Sequence, residues 1–232
     1  MKIAGLQKLT LLDYPGKLAC TVFLEGCNLR CPFCHNAALV LPGREEETEE
    51  IGRQALFAFL SKRKGVLQGV CITGGEPLLR PQTEDLIEQI RGMGYAVKLD
   101  TNGCFPDRLD RLLTRGLVDY VAMDIKNAPG RYPETVGIPA FDVAPVKRSA
   151  ALLMEGRVPY EFRTTVVEEL HTEEDFLQIG RWLAGAAQYF LQGFVDSGDL
   201  VGSGLHAAPK EKMERYAALL RPFIPAAALR GV

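Results

Sequence analysis

Between Leu18 and Phe194, six short apolar runs alternate with segments whose apolar residues fall on one face of a helix. The runs are Leu18 to Leu24, Gly69 to Thr73, Ala96 to Thr101, Leu117 to Ile125, Tyr160 to Val167 and Tyr189 to Phe194. Their apolar character suits strands buried on both faces. Glu45-Glu46-Glu47-Thr48-Glu49-Glu50 opens a helical pattern with Ile51, Ala55, Leu56 and Phe59 on one side and Lys62-Arg63-Lys64 at its end. Acid first and base last is the order the helix dipole prefers. Glu84 to Arg91 is stopped by Gly92 and Gly94, Pro106 to Arg115 by Gly116, and Val143 to Glu155 follows. Thr172 to Ala187 begins at a capping threonine with Glu173, Glu174 and Asp175 in its first turn. The alternation predicts a parallel α/β sheet, either open and doubly wound or curled into a partial (β/α)6 barrel.

Residues 1–17 read as a lead-in, in which Leu6 to Leu12 runs into the turn Asp13-Tyr14-Pro15-Gly16. Residues 18–194 form the β/α unit, and 195–232 a tail whose amphipathic helix, Lys210 to Leu220, is ended by Pro222 and Pro225. A chain of 232 residues with 47% hydrophobic content can bury one core of this kind, so a single domain over 1–232 is expected. Its net charge of −2, from 27 basic and 29 acidic residues, leaves no electrostatic footprint for nucleic acid or an acidic membrane. Met1-Lys2-Ile3-Ala4-Gly5 begins no signal peptide and no apolar run reaches membrane-spanning length, so a cytoplasmic place is expected, where thiols stay reduced.

Directly after the first run comes Gly26-Cys27-Asn28-Leu29-Arg30-Cys31-Pro32-Phe33-Cys34-His35-Asn36. Three cysteines in one short loop can converge on a single compact centre, and three thiolates leave one metal position open for chemistry. The competing reading is a zinc knuckle completed by His35, His171 or His206. His35 follows Cys34 directly, which makes joint ligation of one ion awkward, and the other two histidines lie in distant segments. Cys20, Cys71 and Cys104 are scattered singly and read as small hydrophobes, so the count supports one cluster.

Unexpected polar residues sit at the ends of the predicted strands. Glu25 and the cysteines follow the first, Thr73-Gly74-Gly75-Glu76-Pro77 the second, Asp100-Thr101-Asn102-Gly103 the third, and Asp124 and Lys126 the fourth. In the fifth, Glu161, Arg163 and Thr165 alternate with Phe162, Thr164 and Val166, and Gln192 lies in the sixth. In parallel β/α proteins the C-terminal strand ends share the ligand-binding face. Charge buried in a strand is costly unless paired, and a ligand-filled lumen would supply the pairing.

The cysteine spacing, with aromatic Phe33 before the last cysteine, resembles the cluster loop of the radical S-adenosylmethionine (radical SAM) enzymes. That resemblance implies the radical SAM fold and one [4Fe-4S] cluster held by Cys27, Cys31 and Cys34, with SAM on the fourth iron. Gly74-Gly75-Glu76-Pro77 resembles the family segment that binds the methionyl amino group; two glycines permit close approach and a carboxylate can pair with an ammonium. Asp100-Thr101-Asn102-Gly103, Met123-Asp124-Ile125-Lys126 and Arg163 are similar to SAM-site segments of the activating enzymes for glycyl radical proteins. The implied SAM-binding residues are thus Gly74, Gly75, Glu76, Asp100, Asn102, Asp124, Lys126 and Arg163, with a monovalent cation near Asp100 and Asp124. Where the formate-lyase activases have a histidine near the end of the last strand, this chain places Gln192.

Within the family, Gly5-Leu6-Gln7-Lys8, Cys34-His35-Asn36 and Leu229-Arg230-Gly231-Val232 resemble the anaerobic ribonucleoside-triphosphate reductase activating proteins. The implied reaction is reductive cleavage of SAM to a 5′-deoxyadenosyl radical that takes a hydrogen atom from a glycine of a partner enzyme. The implied electron donor is external, such as flavodoxin or ferredoxin. The alternatives are a radical SAM enzyme acting on a small molecule and a non-catalytic iron-sulfur or zinc protein.

Overall fold

The computed structural model describes residues 1–41, 51–196 and 198–231. Along the chain run β1 (Ile3–Thr10), β2 (Ala19–Leu24), α1 (Ala37–Val40), α2 (Arg53–Lys62), β3 (Gly69–Gly74), α3 (Gln82–Gly92), β4 (Ala96–Thr101) and α4 (Pro106–Thr114). Then follow β5 (Tyr120–Asp124), α5 (Tyr132–Thr135), α6 (Ala144–Met154), β6 (Tyr160–Val166), α7 (Glu173–Trp182), β7 (Tyr189–Gly193), α8 (Lys210–Leu220) and β8 (Ala227–Arg230).

All eight strands join one sheet in chain order, β1 antiparallel to β2 and every later neighbour parallel. The order decides between the two predicted architectures. A doubly wound sheet must reverse direction once, whereas successive right-handed crossovers without reversal put every helix on the same face. The sheet therefore curls into the partial barrel of the radical SAM fold, with β1 and β8 as its two edge strands. Register follows from the two-residue period. Val70, Ile72, Val97, Leu99, Val121 and Met123 are buried apolar residues of the central strands, whereas Thr73, Asp100, Asp124, Arg163 and Gln192 line the lumen.

The turn Asp13-Tyr14-Pro15-Gly16 lies at the opposite end of the barrel from the C-terminal strand ends. Tyr14 is 2% exposed and packs where a Cβ on Gly69 would stand 2.9 Å from its ring, so the glycine makes room for an aromatic plug. The predicted helix from Thr172 is real but ends at Trp182. Its N-terminus carries the full capping box, Thr172 accepting from the Asp175 backbone N–H while the Asp175 carboxylate accepts from that of Thr172. The acidic run 45–50 lies outside the described residues; α2 itself starts at Arg53 after Gly52. Residues 227–230, read from the sequence as tail, form β8. Arg230 stitches it in, donating to Glu161 at 2.6 and 2.9 Å and stacking 3.7 Å from the Phe190 ring centroid.

Candidate active site

The cysteine loop leaves β2 and is gripped from both sides. The Arg30 N–H donates to Val136 O at 2.9 Å, and the Gly202 N–H donates to Pro32 O at 2.8 Å. A Cβ at Gly202 would stand 2.7 Å from the Pro32 side chain, so only glycine allows this closeness. Within the loop, Arg30 Nη1 donates to the carbonyls of Cys27 and Leu29 at 2.8 and 2.7 Å. Cys27, Cys31 and Cys34 all face one cavity of about 320 Å³. Burial pushes the Cys27 thiol up to about 11 and that of Cys31 to about 12, so both are protonated at neutral pH until a metal displaces the proton.

Gly74 and Gly75 line the same cavity because their backbone lies flat on the chain entering the cysteine loop. Gly74 has φ of +122°, and a Cβ there would stand 2.3 Å from Leu24 O; at Gly75 the clash would be with Gly26 O at 2.1 Å. The Gly75 and Glu76 N–H groups donate to Leu24 and Gly26 carbonyls at 2.9 and 2.8 Å. Glu76 differs from the expectation of a carboxylate facing an ammonium. It is 1% exposed, lies behind the cavity wall, and accepts from Leu78 N, Thr101 Oγ1 and Asn102 N at 2.8, 2.9 and 2.7 Å. Burial outweighs those bonds and pushes its pKa up to about 7. Asn102 extends the tie, donating from Nδ2 to Asn28 Oδ1 at 2.9 Å, with Cys27 Sγ at 3.8 Å.

Asp100, Asp124, Lys126 and Arg163 line the cavity and form one ionic chain across β4, β5 and β6. Lys98, which no sequence motif singled out, begins it by donating to Asp100 Oδ1. Arg163 donates to Asp100 Oδ2 at 3.2 Å and to Asp124 Oδ1 at 2.9 Å, and Lys126 donates to Asp124 Oδ2 at 2.9 Å. Lumen charge is thus paired within the chain itself, where the sequence reading looked to a ligand-filled lumen for the pairing. Burial opposes ionisation of both aspartates, but Arg163 with Lys98 or Lys126 outweighs it and holds each carboxyl below its ordinary range. Lys126 also lies 5.8 Å above the Phe33 ring; burial opposes its charge, and Asp124 overcomes it and raises its pKa.

Thr165 and Gln192 face the lumen as their alternation implied. Two expected strand-end residues are elsewhere: Glu25 pairs with Lys2 at 3.1 Å, and Glu161 pairs with Arg230 and Tyr120. Gln7, Asp13 and Thr21 line the cavity without having been predicted. Thr21 donates to Asp13 Oδ2 at 2.6 Å, and its hydroxyl in an otherwise apolar run was the available signal.

Residues 21–183, more than half of the chain, match the model of the radical SAM superfamily. The chain belongs to the radical SAM superfamily. Over 198 residues it is 32% identical to a Methanocaldococcus jannaschii protein named as a glycyl-radical enzyme activating enzyme, covering 83% of this chain and 79% of that one. It is 35% identical over 122 residues to the 7-carboxy-7-deazaguanine synthase of Hyperthermus butylicus, covering 52% and 48% of the two chains. The chain spans about half the length of several other curated relatives it matches, pyruvate formate-lyase-activating enzymes among them. Among solved structures, a domain of pyruvate-formate lyase-activating enzyme from Bacteroides vulgatus shares the fold, with a TM-score of 0.58 at 18% identity, covering 70% of this chain and 99% of that domain.

A radical SAM enzyme uses a [4Fe-4S] cluster and SAM. Among the described residues, no three His, Cys, Asp or Glu side chains gather closely enough for a single metal ion. Cys27, Cys31 and Cys34 around one cavity fit such a cluster, in which each thiolate would hold a different iron. The zinc reading also loses its distant histidines. His171 is 1% exposed, its Nδ1 accepting from the Val167 N–H at 3.0 Å and its Nε2 donating to Lys126 O at 2.9 Å. His206 is exposed and paired with Glu169. Among the described residues no helix is long and apolar enough to cross a membrane.

Proposed function

We propose that this protein installs a glycyl radical on a partner enzyme, with anaerobic ribonucleoside-triphosphate reductase as the partner its sequence favours. The observation that carries the reading is a single cavity lined by Cys27, Cys31, Cys34, Gly74, Gly75, Asp100, Asn102, Asp124, Lys126 and Arg163. In this reading the three cysteines hold three irons. The Gly74-Gly75 backbone and the Asp100, Asn102, Asp124, Lys126 and Arg163 side chains hold SAM, and Glu76 positions them through Thr101 and Asn102. When bound, the reduced cluster and SAM supply, by one-electron cleavage of the sulfonium, a radical able to take a hydrogen atom. The chain's own contribution is binding, orientation and dryness. Three side-chain cations against two carboxylates leave the ionic chain one positive charge in excess, which favours a carboxylate ligand and a thiolate-bound cluster. Phe23, Leu29, Phe33 and Val40 supply the apolar part of the wall.

In this reading an opening between β1 and β8 gives a peptide loop of the partner access to the lumen, and the electron comes from a flavodoxin or ferredoxin in the cytoplasm. Support for activation over small-molecule chemistry comes from match length: 83% of this chain aligns with the activating-enzyme relative, against 52% with the deazaguanine synthase. The second reading, action on a small molecule, rests on that shorter match.

The test is anaerobic reconstitution with iron and sulfide, reduction, and measurement of methionine and 5′-deoxyadenosine, with Cys31→Ala as control. Addition of anaerobic ribonucleotide reductase should then give a glycyl radical signal in electron paramagnetic resonance. A loaded, reducible cluster that never cleaves SAM would sink the enzyme; cleavage without radical transfer to any glycyl radical enzyme would favour the second reading.

A further inference from the structure

We propose that the ammonium of Lys98 is a built-in counter-ion that takes the place of a diffusible monovalent cation beside Asp100 and Asp124, so that SAM binding in this protein is independent of Na+ and K+. The inference rests on the reading that SAM binds in this lumen.

Lys98 and Asp100 are two residues apart on β4 and point to the same face. Lys98 is 2% exposed, with Nζ on Asp100 Oδ1 and 3.9 Å from Cys71 Sγ. An ammonium this deep is tolerated only when paired. Each of the four oxygens of the two aspartates is already bonded to a side-chain cation: Lys98, Arg163 twice, and Lys126. A bare Na+ or K+ needs a cage of oxygens freed from other cations, and here the neighbouring groups are ammonium, guanidinium and the Cys71 thiol. Adding an ion would also set four positive charges against two negative ones in a region where water screens poorly. The residues present do not fit a bound monovalent cation; they fit a lysine doing its electrostatic work. Lys98 is a positioning residue, acting on the cofactor through Asp100 and Arg163.

The experiment measures the SAM dissociation constant of the anaerobically reconstituted protein by equilibrium dialysis. The buffers contain K+, Na+, Li+ or tetramethylammonium as the only monovalent cation, the last being too large to enter. Wild-type affinity should agree within about twofold in all four. Lys98→Ala removes the ammonium and leaves room, so its affinity should fall about tenfold in tetramethylammonium and recover in K+ or Na+. Lys98→Met removes the charge but fills the space, and should weaken binding with no recovery. A merely structural lysine would not give cation-specific rescue. Wild-type binding that tightens and saturates with one small cation overturns the proposal, as does a folded, cluster-loaded Lys98→Ala that binds SAM normally in every buffer. If the alanine variant fails to fold, the wild-type comparison decides alone. Absence of any SAM binding would instead refute the proposed function.

Discussion

Glu76→Gln tests the most heavily bonded buried carboxyl at the site. Glu76 accepts three hydrogen bonds in a fully buried place, two at Oε1 and one at Oε2. Its pKa is about 7 against an ordinary 4.5, because burial prevails over the donors. Between those values the folded protein holds a proton that the unfolded chain has released. Stability from this group is therefore greatest below pH 4.5, falls as pH rises to 7, and is flat beyond. At about 1.4 kcal/mol per pH unit the loss is about 3 kcal/mol. Glutamine is neutral throughout, and its amide nitrogen must confront one of the N–H donors, leaving that donor unpaired at about 1–3 kcal/mol. At pH 5, where the wild-type carboxyl is neutral, the variant should be the less stable by that amount. By pH 8 the difference should vanish or reverse. Urea unfolding at pH 5, 6, 7 and 8, followed by the fluorescence of Trp182, the single tryptophan, reads this directly. Both proteins share every other titrating group, so only the change in their difference counts. A difference that stays constant or widens toward pH 8 would mean Glu76 is ionised throughout, and that its three donors prevail over burial.

Arg230→Ala should destabilise the protein by about 3 kcal/mol, because Glu161 at 1% exposure loses the two hydrogen bonds of its paired guanidinium and keeps that from Tyr120; the melting temperature in calorimetry checks it. Gly202→Ala puts a methyl 2.7 Å from the Pro32 side chain, so the iron bound per chain after reconstitution should fall while the far-ultraviolet circular dichroism is unchanged. Asp124→Asn takes the paired carboxylate from Lys126 and one of two from Arg163, which keeps Asp100, and should weaken SAM binding about tenfold or more. The Asp124 carboxyl is held below its ordinary range, so its stabilisation is present above that range and disappears in acid. The variant should therefore lose less stability than wild type between pH 5 and pH 2.

What could be read from the chain depended on how far each signal reached. The cysteine loop, the two-residue alternation of Arg163 and Thr165, and the cap at Thr172 are local, and each stands where its spacing placed it. The grip of Val136 and Gly202 on the cysteine loop joins residues more than a hundred positions apart, and nothing in either segment announces it. Strand β8 is four residues long and follows two prolines, too short for a period to show; its place is fixed by Arg230 meeting Glu161, 69 positions away. The charged strand ends are the instructive case. Sequence shows that a polar residue falls on the lumen face, but not whether it meets a ligand or another side chain. Asp100, Asp124, Lys126 and Arg163 line the cavity and are joined to one another, and the ammonium that completes the set belongs to Lys98, inside a strand that otherwise reads as core. A buried lysine is costly in isolation, so its presence two residues before Asp100 was itself a sign that the carboxylate is paired from within.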